Sequence, residues 1–318
     1  MRIGLLGTGP WARAAHAPAL AGHTGLDFAG VWGRRPEAAG ALAEEYGVRA
    51  YDDVDDLLAD VDAVAVALPP SVQAELAVRA ARAGRHLLLD KPVALGVGQA
   101  RAVAEEAERA QVASVVFFTT RFQQEPEAWI AEQAAEAGWF TARAQWLGSV
   151  FTSDSPFAAS PWRREKGALW DVGPHALSVL LPVLGDVRQV LAAAHGPADT
   201  VHLVLDHETG ASSTVTLSLT APPAAAGVGV ELWGEAGTAV LPVSAQDAVT
   251  ALTRAADALI AAARTGRPHA CDAVFGLRIT EILASAESLL NGIPADGAHP
   301  PAGAVQTFRS PARQQVTR

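Results

Sequence analysis

Three residues in two short motifs have the side chains needed for acid–base chemistry. Lys91 follows the apolar run His86–Leu89, and Asp171 and His175 stand four residues apart in the second half of the chain. A helical turn would place two residues with that spacing on one face. A lysine, a carboxylate and an imidazole can together orient and transfer a proton, and histidine titrates near neutral pH. We therefore take the three residues as candidate catalytic residues.

Each of these residues also has an ordinary structural interpretation. A lone lysine is more often a solvated charge than a catalyst, and a lone histidine is more often a hydrogen-bonded structural residue. Asp171 is of a residue type that strongly favours the N-cap of a helix. The catalytic interpretation depends on the motifs that accompany these residues in the same chain.

The turn after the first apolar run predicts a phosphate-binding site. Gly7-Thr8-Gly9-Pro10-Trp11-Ala12 matches the pattern GxGxxG/A directly after the run Arg2–Leu6. The first glycine of this pattern permits a tight turn, the second lets the backbone approach a pyrophosphate, and the small third residue packs the helix on the sheet. Pro10 suits the first turn of a helix, whose N-terminus attracts phosphate. We expect NAD or NADP here, and a purely structural turn is the alternative.

The end of the second predicted strand bears on the choice between NAD and NADP. An acidic residue there would bind the ribose hydroxyls, but the chain reads Trp32-Gly33-Arg34-Arg35. Guanidinium groups match a 2′-phosphate bidentately, so Arg34 and Arg35 favour NADP, with NAD possible and a solvated arginine pair as the alternative. Ligands of open α/β sheets lie at the carboxyl ends of the strands. The remaining predicted cofactor contacts at such ends are Leu68, Pro69, Asp90, Lys91 and Pro92.

Residues 1–120 predict a parallel sheet covered by helices, and the whole chain an α/β fold. Short apolar runs alternate with helical stretches, a pattern typical of strands joined by crossover helices and buried on both faces. We expect this region to be a Rossmann dinucleotide-binding domain. Its predicted strands are Arg2–Leu6, Phe28–Trp32, Ala63–Leu68, His86–Leu89 and Ser114–Phe118, with a helix at Glu37–Tyr46.

Residues 121–293 predict a second α/β domain for substrate binding and oligomerisation, built on an open, mostly antiparallel sheet. Alternating apolar runs are separated by turns rich in Gly, Pro and Asp. An open apolar sheet face would favour a homo-oligomer, a dimer or a tetramer. Residues 294–318 predict a flexible or surface-draped tail. The predicted strands are Phe140–Ser149, Val187–Ala194, Thr200–Asp206, Ser212–Leu219, Gly227–Trp233 and Gly237–Pro242, and the helices are Pro126–Ala137, Asp247–Arg264 and Asp272–Asn291.

Composition excludes several classes of protein. The formal net charge of -10 over 318 residues argues against nucleic-acid binding, which depends on clustered Lys and Arg. The single cysteine, Cys271, excludes an intrachain disulfide and a cysteine-based zinc site, and it lies in a helical pattern where a small buried side chain fits. The histidines show no spacing typical of a metal site, so we expect no metal. The N-terminus does not resemble a secretory signal and no apolar run suits a bilayer, so we expect a cytoplasmic protein with no membrane contact.

The tryptophans divide into two groups. Trp129, Trp139, Trp146 and Trp233 lie outside every motif, and we expect them to be core or interface residues rather than cofactor contacts. Trp11 and Trp170 flank the predicted sites, so their roles stay open.

The motifs taken together resemble those of the Gfo/Idh/MocA family, the glucose-fructose oxidoreductase and inositol dehydrogenase group. The resemblance rests on the N-terminal glycine turn, on Asp90-Lys91-Pro92 in place of the family's Glu-Lys-Pro, and on Gly167 through His175 as its DxGxH element. It spans nearly the whole chain. The resemblance implies a Rossmann domain, a second domain with an open sheet, and a small-molecule substrate bound between them, with Lys91, Asp171 and His175 in the active site.

The resemblance also extends to possible substrate contacts. Arg121, in Thr119-Thr120-Arg121-Phe122, is similar to the family's Arg-Phe element, and Trp162-Arg163 is similar to its Trp-Arg element. The chain departs from the family in two places. Asp90 is one methylene shorter than the usual glutamate, and Glu165 and Lys166 precede Gly167 where the family often has several glycines.

The activity that the resemblance implies is hydride transfer between nicotinamide and a secondary alcohol or ketone of a sugar, polyol or cyclic small molecule. Lys91 and His175 would share the proton transfer, with Asp171 orienting them. Two alternatives stay open: a glycosidase that uses the nicotinamide transiently with no net redox change, and a sensor that binds the cofactor without catalysis.

Overall fold

The computed structural model describes residues 1–152 and 155–292. The chain forms two six-stranded sheets with helices packed on them. The predicted tail at 294–318 lies outside the described residues.

The first sheet is entirely parallel and follows the order β3-β2-β1-β4-β5-β6. The strand order reverses beside β1, so a crevice opens at the carboxyl ends of β1 and β4, where ligands of such sheets bind. The five predicted strands are confirmed, and β3 was missed because only one of its three residues is buried. The strands are β1 (Arg2–Leu6), β2 (Asp27–Trp32), β3 (Arg49–Tyr51), β4 (Ala63–Val66), β5 (His86–Asp90) and β6 (Ser114–Phe117).

Five helices cover this sheet. Alanines dominate the buried face of the fourth, which lets its backbone approach the strands closely. The side chain of Asp53 caps the third helix by accepting a hydrogen bond from the backbone of Asp55. The helices are α1 (Ala17–Gly22), α2 (Pro36–Tyr46), α3 (Val54–Asp60), α4 (Pro70–Arg82) and α5 (Val97–Arg109). A helical segment that begins at Pro10 and contains a π-helical turn at Ala12–His16 leads directly into α1.

The second sheet is mixed and follows the order β12-β11-β7-β10-β9-β8. All of its strand pairs are antiparallel except β7 with β10. Its strands are β7 (Trp139–Leu147), β8 (Val187–His195), β9 (Val201–His207), β10 (Ser212–Ser218), β11 (Gly227–Gly234) and β12 (Gly237–Val240). The remaining helices are α6 (Gln124–Ala135), α7 (Pro161–Asp171), α8 (Gly173–Leu184), α9 (Ala248–Thr265) and α10 (Ala273–Leu290).

The last two helices pack against both halves of the molecule. Helix α9 contacts α1, β5 and β6, and α10 contacts α5 as well as β8. An ion pair also joins α10 to α5 of the first domain, because Arg101 Nη2 lies 2.6 Å from Glu281 Oε1. Cys271 is buried in the turn before α10 rather than within a helix, and burial raises the pKa of its thiol to about 11. The thiol is therefore protonated and unreactive at neutral pH.

The outward face of the second sheet is mixed in character, with apolar side chains such as the exposed Val240 on β12 beside polar and charged ones. Along β7, Ala142, Ala144 and Trp146 are buried, whereas Arg143 between them is exposed. Its cross-strand neighbours include Thr214 on β10 and Glu231 on β11, so the outward face mixes polar and charged side chains. The alternation of the pleat assigns the apolar residues to the inner face, which helix α8 covers.

The segment Pro161–Leu184 is long and apolar enough for a membrane span by composition, and it is mostly buried inside the fold. It comprises α7 and α8, and the backbone leaves helical geometry at Gly167. This segment is therefore a pair of core helices.

Candidate active site

The glycine turn joins β1 to the first helix at the strand-order reversal. Gly7 has φ +132°, and a Cβ on it would lie 2.3 Å from the carbonyl oxygen of Ala67. Only glycine fits that position. Gly9 differs, since a Cβ on it would have no neighbour within 4 Å. The space beside Gly9 suits a ligand that approaches the backbone, and Pro10 begins the helix as predicted.

Two cavities extend from this turn. The larger has a volume of about 490 Å³ and reaches into the second domain, and the smaller, of about 480 Å³, lies over the ends of β1 and β2. They share Gly9, Ala67, Leu68 and Pro69 in their linings. The two cavities together form a groove of the kind that can hold an elongated dinucleotide, with backbone at Gly9 available to a pyrophosphate.

Thr8, Gly33, Arg34 and Arg35 line the smaller cavity. Both arginines are exposed. They stand at the end of β2, where the adenosine ribose of a dinucleotide binds in this fold. Their position is compatible with a 2′-phosphate and with NADP.

Asp90 and Lys91 line the larger cavity at the end of β5. The fully buried side chain of Gln73, on α4, holds their backbone: its Nε2 donates to the carbonyl oxygens of Asp90 (2.7 Å) and Pro92 (3.0 Å). Its Oε1 accepts from the backbone amide of Asp90 at 2.9 Å. Gln73 therefore fixes the loop that presents Lys91. Pro92 shapes this loop but does not line the cavity.

The carboxylate of Asp90 has a partner in the helix that follows the glycine turn. Asp90 Oδ2 lies 3.2 Å from Nε2 of His16, whose side chain is fully buried. Trp11 packs edge-on against His16 and stacks on Phe117 at a centroid distance of 6.5 Å. The shorter aspartate therefore remains anchored to the first domain while it borders the cavity.

Lys91 and Asp171 meet across the two domains. Lys91 Nζ lies 2.8 Å from Asp171 Oδ1 and also donates to the Asp171 carbonyl oxygen. Arg163 Nε donates to Asp171 Oδ2 at 2.8 Å. Burial favours the neutral acid and is the largest single influence, but the charges and hydrogen bonds of Lys91 and Arg163 outweigh it and lower the pKa of Asp171 to about 2. Asp171 is therefore ionised at neutral pH.

The interpretation of Asp171 as a helix N-cap is wrong. Asp171 ends α7, and Val172 stands at the N-cap of α8 without a side-chain capping bond. Both carboxylate oxygens of Asp171 bind cations instead. Asp171 and His175 also do not share one continuous helical turn, because the chain breaks at Val172. The break still leaves both side chains in the lining of the larger cavity.

His175 lies in the first turn of α8 and stacks on Trp146 with a centroid distance of 5.4 Å and an interplanar angle of 8°. Burial lowers the pKa of His175 well below its usual value, and the charges of Lys91 and Arg163 lower it further against the opposing charge of Asp171. The imidazole is therefore neutral at pH 7 and can accept a proton. Trp146 is a buried core residue, as expected, and it also forms a wall of the cavity.

The predicted Trp162 and Arg163 both line the cavity, and Phe157 stands beside them. The Arg163 guanidinium lies 4.8 Å from the Phe157 ring centroid and 4.7 Å from that of Trp162. Stacking of this kind holds a planar cation in place. Trp170 is buried and donates to Glu287, outside the lining.

Arg121 is not brought into the site. It lies on a short 3-10 turn, Thr119–Phe122, and its Nη1 donates to the carbonyl oxygen of Ser178 at 2.8 Å. Its guanidinium also lies over the Phe275 ring. Arg121 therefore ties the turn to α8 and α10, and its neighbour Thr119 is the residue that borders the cavity.

Sequence reasoning missed Gln73, His16 and Phe157. Gln73 lies on α4, which carries no motif, and His16 lies in the helical segment after the glycine turn but outside the turn's pattern. Phe157 lies in the segment between β7 and α7. No short pattern of residues around these three positions indicates a role in the site. Within residues 1–152 and 155–292, no cluster of His, Cys, Asp and Glu is arranged to hold a metal ion.

Comparison with known proteins identifies the family to which the two domains belong. Residues 1–118 match the family described as "Oxidoreductase family, NAD-binding Rossmann fold", and residues 99–240 match the "GFO/IDH/MocA C-terminal domain". D-xylose 1-dehydrogenase (NADP(+)) 2 of Haloferax volcanii is 30% identical over 240 residues, which cover 70% of each chain. The chain belongs to the GFO/IDH/MocA family of oxidoreductases.

Other relatives match over part of their length or in fold alone. Inositol 2-dehydrogenase of Rhizobium meliloti is 35% identical over 124 residues, which cover 38% of this chain and 37% of that protein. The crystal structure of GenD2 from gentamicin A biosynthesis, in complex with NAD, superposes with a TM-score of 0.79 at 20% identity, covering 92% of this chain and 94% of that one. At that identity the superposition shows a shared two-domain fold.

Proposed function

We propose that the protein is an NAD(P)-dependent dehydrogenase or reductase that acts on a secondary alcohol or the corresponding ketone of a sugar, polyol or cyclic small molecule. The observation that carries the proposal is the convergence of Lys91, Asp171 and His175 on one cavity that continues to the glycine turn. The related dehydrogenases of D-xylose and inositol support this reaction class.

The residues around the turn fit a dinucleotide. Gly9 leaves room for the pyrophosphate, Leu68 and Pro69 line both cavities, and Asp90 lines the larger one. When bound, the nicotinamide supplies the hydride acceptor or donor. This chain's own residues must hold the substrate carbon in reach and handle the hydroxyl proton.

Lys91 is the residue placed to bind the reacting oxygen. Its ammonium is held by the Asp171 carboxylate and carbonyl, which leaves one N–H to donate toward the cavity. In the reductive direction that N–H stabilises negative charge developing on the ketone oxygen. Asp171 is ionised above about pH 3, because its pKa is about 2, so it keeps this cation in position over the neutral range.

His175 is the residue placed to exchange the proton. Its lowered pKa keeps the imidazole neutral at pH 7, so it can accept the hydroxyl proton during oxidation and return it during reduction. Its Nδ1 is buried and has no hydrogen-bond partner among the described residues. Stacking on Trp146 therefore orients the ring.

We further propose that NADP is preferred over NAD and that the second sheet joins two or four copies of the chain. Titration with NADPH and NADH tests the first point: we expect NADPH to bind about tenfold more tightly, and an Arg34→Ala, Arg35→Ala double variant to lose that difference. Tighter binding of NADH would contradict the NADP assignment. Light scattering of the protein as it elutes from a size-exclusion column measures its molar mass. This measurement tests the second proposal, that two or four copies of the chain assemble.

Product analysis tests the reaction itself. Accumulation of reduced nicotinamide with a ketone product, in equal amounts, supports the dehydrogenase. Cleavage of a glycoside without net change in the nicotinamide would contradict it, as would a protein that binds the cofactor and transfers no hydride to any alcohol or ketone.

A further inference from the structure

Three aromatic residues line the side of the larger cavity that belongs to the second domain. Trp146, Phe157 and Trp162 reach it from β7, from the segment before α7 and from α7. Val150 and Val172 add aliphatic surface. These side chains come from separate parts of the chain, so the apolar wall is a property of the folded site.

The charged groups in the same wall are already paired with one another. Both carboxylate oxygens of Asp171 are bound, one by Lys91 and one by Arg163. Arg163 is further stacked between Phe157 and Trp162. With Asp90 facing His16, the two cations and two carboxylates that line the cavity balance in formal charge. The site therefore offers no excess charge for an anionic substrate.

A sugar or polyol presents several hydroxyls, and each needs a partner when it is buried. A hydroxyl buried without one weakens binding by roughly tenfold. An apolar ring gains from leaving water against aromatic walls and stacks on them. Ser160 and Thr119 add hydroxyls to the paired charges of the lining, and Ser160 Oγ already accepts a hydrogen bond from Arg163 Nη1 at 3.4 Å. These few polar groups suit one reacting oxygen better than many hydroxyls.

We propose that the substrate is a neutral cyclic secondary alcohol or ketone with an apolar, aromatic-bearing body, whose one reacting oxygen meets Lys91 and His175. The proposal rests on the dehydrogenase function proposed above and selects the cyclic small molecule over the sugar and the polyol. The apolar body lies against Phe157, Trp146 and Trp162.

Two six-membered ring alcohols of opposite character test this assignment. Binding of trans-4-phenylcyclohexanol and of myo-inositol is measured by calorimetry on the whole protein saturated with oxidised nicotinamide cofactor. We expect the phenyl compound to bind at least tenfold more tightly. Equal binding, tighter binding of inositol, or no binding of the phenyl compound would overturn the proposal.

A matched pair of variants locates the binding surface. Phe157→Ala removes a ring from the cavity wall, and Phe140→Ala removes a 65% exposed ring outside the cavity lining. We expect Phe157→Ala to weaken binding of the phenyl compound about tenfold and Phe140→Ala to leave it unchanged. The reverse pattern would contradict the apolar site.

Turnover is measured separately from binding. Tight binding of the phenyl compound, with no hydride transfer to or from any probe, would support the apolar cavity and contradict the dehydrogenase function. Oxidation of inositol without binding of the phenyl compound would leave the dehydrogenase function in place and overturn the substrate class.

Discussion

The two sides of the cleft are built by different means. The side at the glycine turn consists mainly of backbone at the ends of neighbouring strands, with Gly9, Leu68 and Pro69 lining both cavities. The opposite side depends on side chains from separate domains, and Lys91 and Asp171 are 80 residues apart. The shape of the backbone determines what can bind on the first side, whereas the pairing of charged side chains determines the geometry of the second.

This difference predicts how each side of the cleft responds to substitution. On the backbone side, a methyl group added at Gly9 would block a ligand without meeting any protein atom within 4 Å. On the side-chain side, removal of one partner leaves a buried charge behind. The two kinds of change should therefore separate cofactor binding from catalysis and stability.

The largest expected effect is that of Lys91→Ala on turnover. We expect kcat to fall about 10³-fold, because the variant lacks the donor to the reacting oxygen. The affinity for NADPH should change by no more than about threefold, because Lys91 is one of several predicted cofactor contacts and the others are unchanged. Single-turnover kinetics and cofactor titration measure the two quantities, and full turnover in the variant would rule out the assigned role.

Asp171→Asn should reduce both activity and stability. The change leaves Lys91 and Arg163 without their buried counter-charge, so we expect about 3 kcal/mol less free energy of unfolding and about 10²-fold lower kcat. Asp206→Asn is the matched control, because Asp206 pairs with an arginine that is 63% exposed, and it should change the free energy of unfolding by less than about 1 kcal/mol. Denaturant unfolding compares the two, and equal losses would show that burial of the Asp171 group is unimportant.

Gly9→Ala should weaken cofactor binding without destabilising the protein. The added methyl group meets no protein atom within 4 Å, but it would occupy the proposed path of the pyrophosphate, so we expect about tenfold weaker binding. Gly98→Ala, at a position equally open but on helix α5, is the control. Unchanged affinity in Gly9→Ala would place the pyrophosphate elsewhere.

The most gradual expected effect is on the pH dependence of stability. The folded state holds His175 neutral because burial lowers its pKa, whereas the unfolded chain protonates it below about pH 6.5. The free energy of unfolding should therefore fall as the pH drops from 6.5 toward 5, by up to about 1.4 kcal/mol per pH unit from this group.

His175→Gln isolates that contribution from the other histidines whose pKa is also lowered, such as His207. The variant should have a shallower loss of stability over the same pH range, measured by urea unfolding at several pH values. Parallel curves for the two proteins would mean that His175 is protonated in the folded state as readily as in the unfolded one.

The amino-acid sequence by itself determined the local features. The glycine turn, the apolar strands on both sides of it and the Lys91 position at a strand end all follow from short patterns of residues, because turn geometry and strand periodicity are local properties. The outer strand β3 escaped detection for the same reason: its Arg49 and Ala50 are exposed and give no apolar signal.

Only the tertiary structure decided which side chains meet. The sequence suggested Arg121 as a substrate contact, yet Arg121 binds the carbonyl of Ser178. Trp146 is the core residue that the sequence suggested, but only the fold places it against His175 as a cavity wall. Asp171 had the residue type of a helix cap and became the counter-charge of Lys91. Such pairings join residues far apart in the chain, and they depend on how the two sheets and their helices pack rather than on any local pattern.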